Sequence, residues 1–170
     1  MAESRIVNEL DCSENRFWDE LFFDAEFNRK LFLEELGFTT WKIVSEKTTD
    51  EVVERRLEVS PRVGEIPAAV KAVIGESLGY VEEGRYDRKR RRYAVKATSP
   101  KLGDRFLVEG EMYTEPLGEN RCRRIFAVKV TAKIFGVGGL IEKRVLADME
   151  KSYAQSASYI GKYAELQGKS

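Results

Sequence analysis

The chain has 170 residues, 42% of them apolar and 34% charged, with 29 Lys plus Arg balanced by 29 Asp plus Glu. A chain of this length removes roughly 70% of its unfolded surface from water on folding, so one domain over residues 1–170 is expected, and the aromatic and branched residues spread along it exclude a disordered chain. Zero net charge excludes a global field that would draw the protein to nucleic acid or to an anionic membrane; any such attraction must be local.

Residues 4–11 alternate Ile6, Asn8 and Leu10 against Val7, Glu9 and Asp11, the pattern of a short first strand. Ser13 then offers an N-cap, and Phe17, Trp18, Leu21 and Phe22 recur at helical spacing up to Phe23. After Asp24 a second helical pattern, Phe27, Leu31, Leu33 and Leu36, runs to Gly37. Phe38 to Glu46 and Glu51 to Val59 alternate as the two strands of a hairpin, the second ending at Pro61. Pro67 opens a short apolar helix or lid-like loop, Ala68 to Ile74, because proline is tolerated at a first helical position whose N–H would be unpaired anyway.

Four further strands are expected at Leu78 to Tyr86, Arg91 to Thr98, Arg105 to Glu115 and Arg121 to Ile134, with turns between them in meander order. In the last, Phe126, Val128, Val130, Ala132 and Ile134 share the face to be buried. The glycines of FGVGG lack the lysine of a phosphate-binding loop and simply let the chain turn. Leu140 to Leu166 then carries Ile141, Val145, Met149, Tyr153, Ile160 and Ala164 on one stripe of a long helix, with 166–170 expected to fray. A sheet with one apolar face must be covered, and this helix is the only element large enough. The expected fold is α+β: a seven-stranded curved antiparallel sheet gripping a long C-terminal helix, with two short helices after the first strand.

The segments FWDELFFDAEF at Phe17 to Phe27 and GGLIEKRVLADMEKSY at Gly138 to Tyr153, joined by this run of strands, resemble the START-like (helix-grip, SRPBCC) superfamily. Within it the chain is most similar to the sterol-binding VASt domains and their bacterial relatives of unknown function. The resemblance covers nearly the whole chain and implies a deep cavity between sheet and helix that accepts sterols, other lipids or polyketide-like rings. Its motifs are packing signatures, so no individual binding residue carries over. The chain shows neither the lipid-binding partner domain nor the membrane anchor of the eukaryotic VASt proteins, so a free-standing carrier, sensor or sequestering protein is implied.

Candidate ligand contacts on the inward strand faces are Trp41, Ile43, Arg55, Leu57, Tyr93, Val108, Met112, Phe126 and Val128, and on the helix Val145, Met149 and Tyr153. Each competes with a plain core role. Small residues at Ser152, Ala154, Ser156, Ala157 and Ser158 leave room that larger side chains would fill. Arg55 falls on the face of Val53, Leu57 and Val59, and Glu82 beside Leu78 and Tyr80. An unpaired charge there would be costly: either the two pair as a buried anchor for a ligand head group, or the strands twist and both reach solvent, the reading favoured because a one-residue bulge reverses the assignment.

The cluster RYDRKRRRY at Arg85 to Tyr93 fits a solvated hairpin tip. It also fits a docking site for anionic lipid head groups through Arg88, Lys89, Arg90, Arg91 and Arg92. Nucleic acid is not an expected partner, since no stacking platform or recognition helix accompanies the charges. Ile66, Val70, Val73 and Ile74 could gate the pocket mouth or dip into a bilayer.

The chain has no histidine and only two cysteines, Cys12 and Cys122, so no metal or cofactor is expected, and the thiols are read as small hydrophobes. No signal-like or membrane-spanning stretch is seen, which points to a cytoplasmic or peripheral protein. The leading expectation is binding, and possibly transfer, of a lipid or other apolar small molecule. The alternatives are a cyclase- or hydratase-type enzyme using carboxylates or tyrosines such as Glu82, Tyr93 or Tyr153, and a co-chaperone-like protein-binding module.

Overall fold

A computed structural model describes residues 1–62 and 64–166. Its elements run β1 (Ala2–Leu10), α1 (Glu14–Arg16 continued by Phe17–Leu21), α2 (Ala25–Arg29 continued by Lys30–Glu35), β2 (Thr40–Thr48), β3 (Val52–Ser60), α3 (Ala68–Ile74), β4 (Tyr80–Asp87), β5 (Arg92–Ser99), β6 (Gly103–Pro116), β7 (Cys122–Ala132) and α4 (Gly138–Leu166). The expected fraying falls, from residue 167, outside the described residues, as does Val63 in the segment before α3.

The strands form one antiparallel sheet in the order β1-β7-β6-β5-β4-β3-β2, so the meander closes with β1 beside the last strand, and the curved sheet and long final helix are those of the helix-grip α+β fold. Antiparallel partners opposite each other share a face, and this builds rows across the concave side. One row reads Tyr86, Tyr93, Met112, Phe126 and Ile6; the next reads Arg55, Gly84, Val95, Gly110 and Val128; a third reads Leu57, Glu82, Ala97, Val108 and Val130. α4 lies against β1 and β7 and touches α2, so it covers one side of the sheet and stands off the rest.

Ser13 caps α1 by accepting from the Arg16 N–H at 3.1 Å, and Asp24 caps α2 by accepting from the Phe27 N–H at 2.8 Å. Both helices then loosen into a π turn: the Phe22 N–H donates to Phe17 O at 2.8 Å, and the Leu36 N–H to Leu31 O at 2.9 Å, each five residues back. The extra residue lets Phe17, Trp18 and Leu21 all be buried while Phe22 and Phe23 reach the rings of β4 and β5.

The strand boundaries and the start of α4 differ from the sequence expectation by one or two residues. β5 begins at Arg92 because Arg91 adopts a positive φ of 52° inside the turn. β7 stops at Ala132, and α4 starts at Gly138. In β2 the pairing slips between Ile43 and Ser45, a bulge that alternation alone does not reveal.

Candidate functional site

Between the concave sheet and α4 lies a cavity of about 190 Å³ whose exposed lining is overwhelmingly apolar. Its existence follows from the rows above. Glycine occurs twice in the second row, and each time an aromatic ring from the neighbouring row lies down over it. A Cβ at Gly84 would stand 1.7 Å from the Tyr93 hydroxyl oxygen, and one at Gly110 would stand 2.6 Å from the Phe126 ring. The rings therefore hug the sheet instead of filling the interior. On α4, Ser152 and Ser156 face the space and are too small to fill it, whereas Ala154 and Ser158 face solvent.

Of the expected ligand contacts, Trp41, Arg55, Leu57, Tyr93, Val108, Met112, Phe126, Val145, Met149 and Tyr153 lie on this wall. Ile43 and Val128 do not. Ile43 is half-buried at the β2 bulge. Val128 is buried in the packed core on β7, the strand that α4 covers. Ile66, Val70 and Ile74 line the cavity beside α3, and Val73 packs partly buried behind them. This segment is tied down by the Lys101 Nζ donating to Ile74 O at 3.0 Å and by the Arg144 Nη1 donating to Glu65 O at 2.8 Å.

Arg55 and Glu82 overturn the solvent reading: both line the cavity, and Arg55 is only 6% exposed. The Tyr93 hydroxyl joins them, accepting from Arg55 Nε at 3.0 Å and donating to Glu82 Oε2 at 3.1 Å. The guanidinium also sits 4.9, 5.0 and 5.2 Å from the ring centres of Phe22, Phe23 and Tyr93, an aromatic box that stabilises a desolvated cation. Burial raises the Glu82 pKa, opposed by the Arg55 charge and the Tyr93 hydrogen bond. Burial, then the nearby Glu82, likewise hold the Tyr80 and Tyr93 phenols well above their ordinary range.

A second buried cation at the wall, Arg124 of β7, is absent from the sequence expectation. It sits two residues before Phe126, so the alternation that placed Phe126 inside places Arg124 inside as well. That extension was the available signal. Phe22 is a further wall residue that helical spacing left unassigned.

The basic cluster stands apart from the cavity at the β4–β5 turn. Lys89 and Arg90 are exposed there. Arg88 donates through Nε to Thr49 O at 3.1 Å, and Arg92 pairs with Glu111 at 2.6 Å and lies 4.3 Å from the Tyr113 ring centre. No described helix is long and apolar enough to cross a membrane.

The fold is the START-like helix-grip fold, with a cavity between its sheet and long helix. The structure superposes on a Thermus thermophilus protein with a TM-score of 0.69 at 20% identity, covering 99% of this chain and 100% of that one. It superposes on the Zhui aromatase/cyclase from a Streptomyces species at 0.68 and 10% identity, covering 99% and 96%. A START superfamily protein from Mycobacterium smegmatis is similar at 0.58 and 15% identity, covering 93% and 98%. No curated protein matches the sequence. The chain belongs to the family described as protein of unknown function (DUF2505), whose profile matches residues 9–163.

Proposed function

We propose that the protein holds an apolar small molecule in the cavity between sheet and α4 and releases it past the α3 segment, as a carrier or sensor. The observation that supports this most is an interior left unfilled by a sheet that has the residues to fill it. Apolar walls with a few convergent polar groups are the usual make-up of a small-molecule site. The VASt resemblance puts sterols among the candidate ligands, and the exposed Lys89 and Arg90 suit transient docking at an anionic membrane. Native mass spectrometry of the purified protein, followed by solvent extraction, tests the reading. A co-purifying apolar mass is expected. A ligand-free protein that also gains no thermal stability from a panel of sterols, fatty acids and aromatic polyketides refutes it.

A cyclase-type enzyme is a second reading, favoured by the Arg55–Tyr93–Glu82 chain: a carboxyl with a raised pKa, hydrogen-bonded inside a cavity, is suited to general acid work. The Zhui protein of the same fold is an aromatase/cyclase. Turnover of a poly-β-ketone lost in Glu82→Gln, with binding retained, would support catalysis.

A further inference from the structure

Charges at the cavity wall do not balance. Arg144 pairs with Asp148 at 3.1 Å, Arg62 is exposed, and Arg55 shares Tyr93 with Glu82. Arg124 is left over. It is 4% exposed, and its hydrogen bonds all run from Nη2: to Asn8 Oδ1 at 3.3 Å, Tyr153 O at 2.9 Å and Ser156 Oγ at 2.9 Å. Every one of these acceptors is neutral.

Nε is buried without any partner, and Nη1 makes no hydrogen bond among the described residues. The guanidinium stacks 4.7 Å from the centre of the Tyr153 ring, which itself stacks on Phe126. Burial draws the Arg124 pKa down to about 10, which still leaves it cationic at neutral pH. A buried cation without a counter-charge is strongly destabilising, so the fold keeps a deficit that a ligand can cancel.

The neighbouring groups point the same way. The phenols of Tyr80 and Tyr153 line the cavity, make no hydrogen bond among the described residues and are held protonated by burial, so they stand as O–H donors. Of the two carboxyl groups on the wall, Glu82 is already engaged by Tyr93 and Asp148 by Arg144. The cavity therefore offers donors and a positive charge within apolar walls. Arg124 lines the cavity and its Nη1 is uncommitted among the described residues, so a carboxylate oxygen can accept from it in a charge-assisted hydrogen bond.

We infer that the ligand of this cavity is an apolar carboxylic acid whose carboxylate is received by Arg124, an inference that rests on the ligand-binding reading above. Its apolar body lies against Met112, Phe126, Val145 and Met149.

The test is calorimetric titration of the delipidated full chain with decanoate and with decan-1-ol near neutral pH, for the wild type and Arg124→Gln. A charge-assisted hydrogen bond predicts decanoate binding roughly tenfold to a hundredfold tighter than decanol in the wild type. In Arg124→Gln that preference should vanish while decanol binding is kept. Equal binding of both by the wild type overturns the carboxylate inference and leaves the ligand-binding reading intact; binding of neither overturns both.

Should Arg124→Gln not fold, carbon-13 titration of carboxyl-labelled decanoate on the wild type decides. A bound carboxyl whose pKa falls below its free value supports the pairing with Arg124, and one that stays level or rises overturns it.

Discussion

Gly84→Ala is the sharpest probe of how the site is built, because a single methyl group meets the ring that bridges the buried charges. The new Cβ would stand 1.7 Å from the Tyr93 hydroxyl oxygen, 2.1 Å from Cζ and 2.7 Å from Cε1, so the ring must swing away from β4. Overpacking of this kind costs about 1–3 kcal/mol. The swing also breaks the bonds to Arg55 and Glu82, about 1.5–3 kcal/mol each if neither re-forms, while Ala in a strand regains about 0.5–1 kcal/mol over Gly.

With partial relaxation the net loss is about 2–4 kcal/mol, a fall in Tm of roughly 5–15 °C for a chain of this size. Urea unfolding followed by tryptophan fluorescence and circular dichroism measures it. In a Tyr93→Ala background the same substitution should cost almost nothing, since the ring it strikes is gone. Gly139→Ala, with nothing within 4 Å of its new Cβ, should stabilise by roughly a few tenths of a kcal/mol. Gly84→Ala within about 0.5 kcal/mol of wild type, a change typical of an inconsequential surface site, would refute the reasoning.

Glu82 makes stability depend on pH with a definite sign. Its folded pKa lies above the ordinary 4.5, so its contribution is complete below 4.5 and is lost as pH rises through the raised value. Glu82→Gln should flatten that fall in the urea midpoint above pH 4.5, and parallel profiles would sink the assignment. Ser152→Leu should fill the cavity from α4, stabilise the ligand-free protein by roughly 1–2 kcal/mol and weaken binding in the same calorimetric assay; unaltered binding would place the ligand elsewhere. Lys89→Glu with Arg90→Glu should lower partitioning onto phosphatidylserine vesicles by tenfold or more, at about 1 kcal/mol per charge, with unchanged ligand affinity. Vesicle binding indifferent to this reversal would remove the β4–β5 turn as a docking site.

How far the sequence carried can be judged on β3 and β7. In β3 Val53, Arg55, Leu57 and Val59 are all buried, as alternation predicted. The error concerned Arg55 itself: the bulge that would have turned it outward does not occur between β3 and β4, and the penalty for burying its charge is met. What offsets that penalty comes from distant parts of the chain: a hydroxyl from β5, a carboxylate from β4 and two rings from the α1–α2 segment. No spacing rule joins residues 22, 55, 82 and 93. The pairing register brings Arg55, Glu82 and Tyr93 together, and the packing of the α1–α2 segment on the sheet adds Phe22. Ile43 keeps its place opposite Leu57, and the one-residue bulge that follows it is a property of the pairing and not of composition. The π turns at Phe22 and Leu36 were hidden because they accommodate the same apolar residues that an α-helix would.

An unfilled interior has an energetic cost, and its size bears on what the cavity is for. At roughly 24 cal/mol per Å³ of void, about 190 Å³ forgoes about 4–5 kcal/mol of packing, a large share of the stability of an ordinary domain. Two strand glycines under rings, two serines on the inward face of α4 and two buried arginines all maintain this void, and larger apolar residues at any of these positions would tend to close it. They also set the polarity of the space that remains. Arg55 is balanced within the chain by Glu82, and Arg124 is not. The same groups that keep the cavity from collapsing therefore leave it one negative charge short, and that places Arg124 and its neutral neighbours, rather than the Arg55–Tyr93–Glu82 chain, where a ligand's charge would matter most.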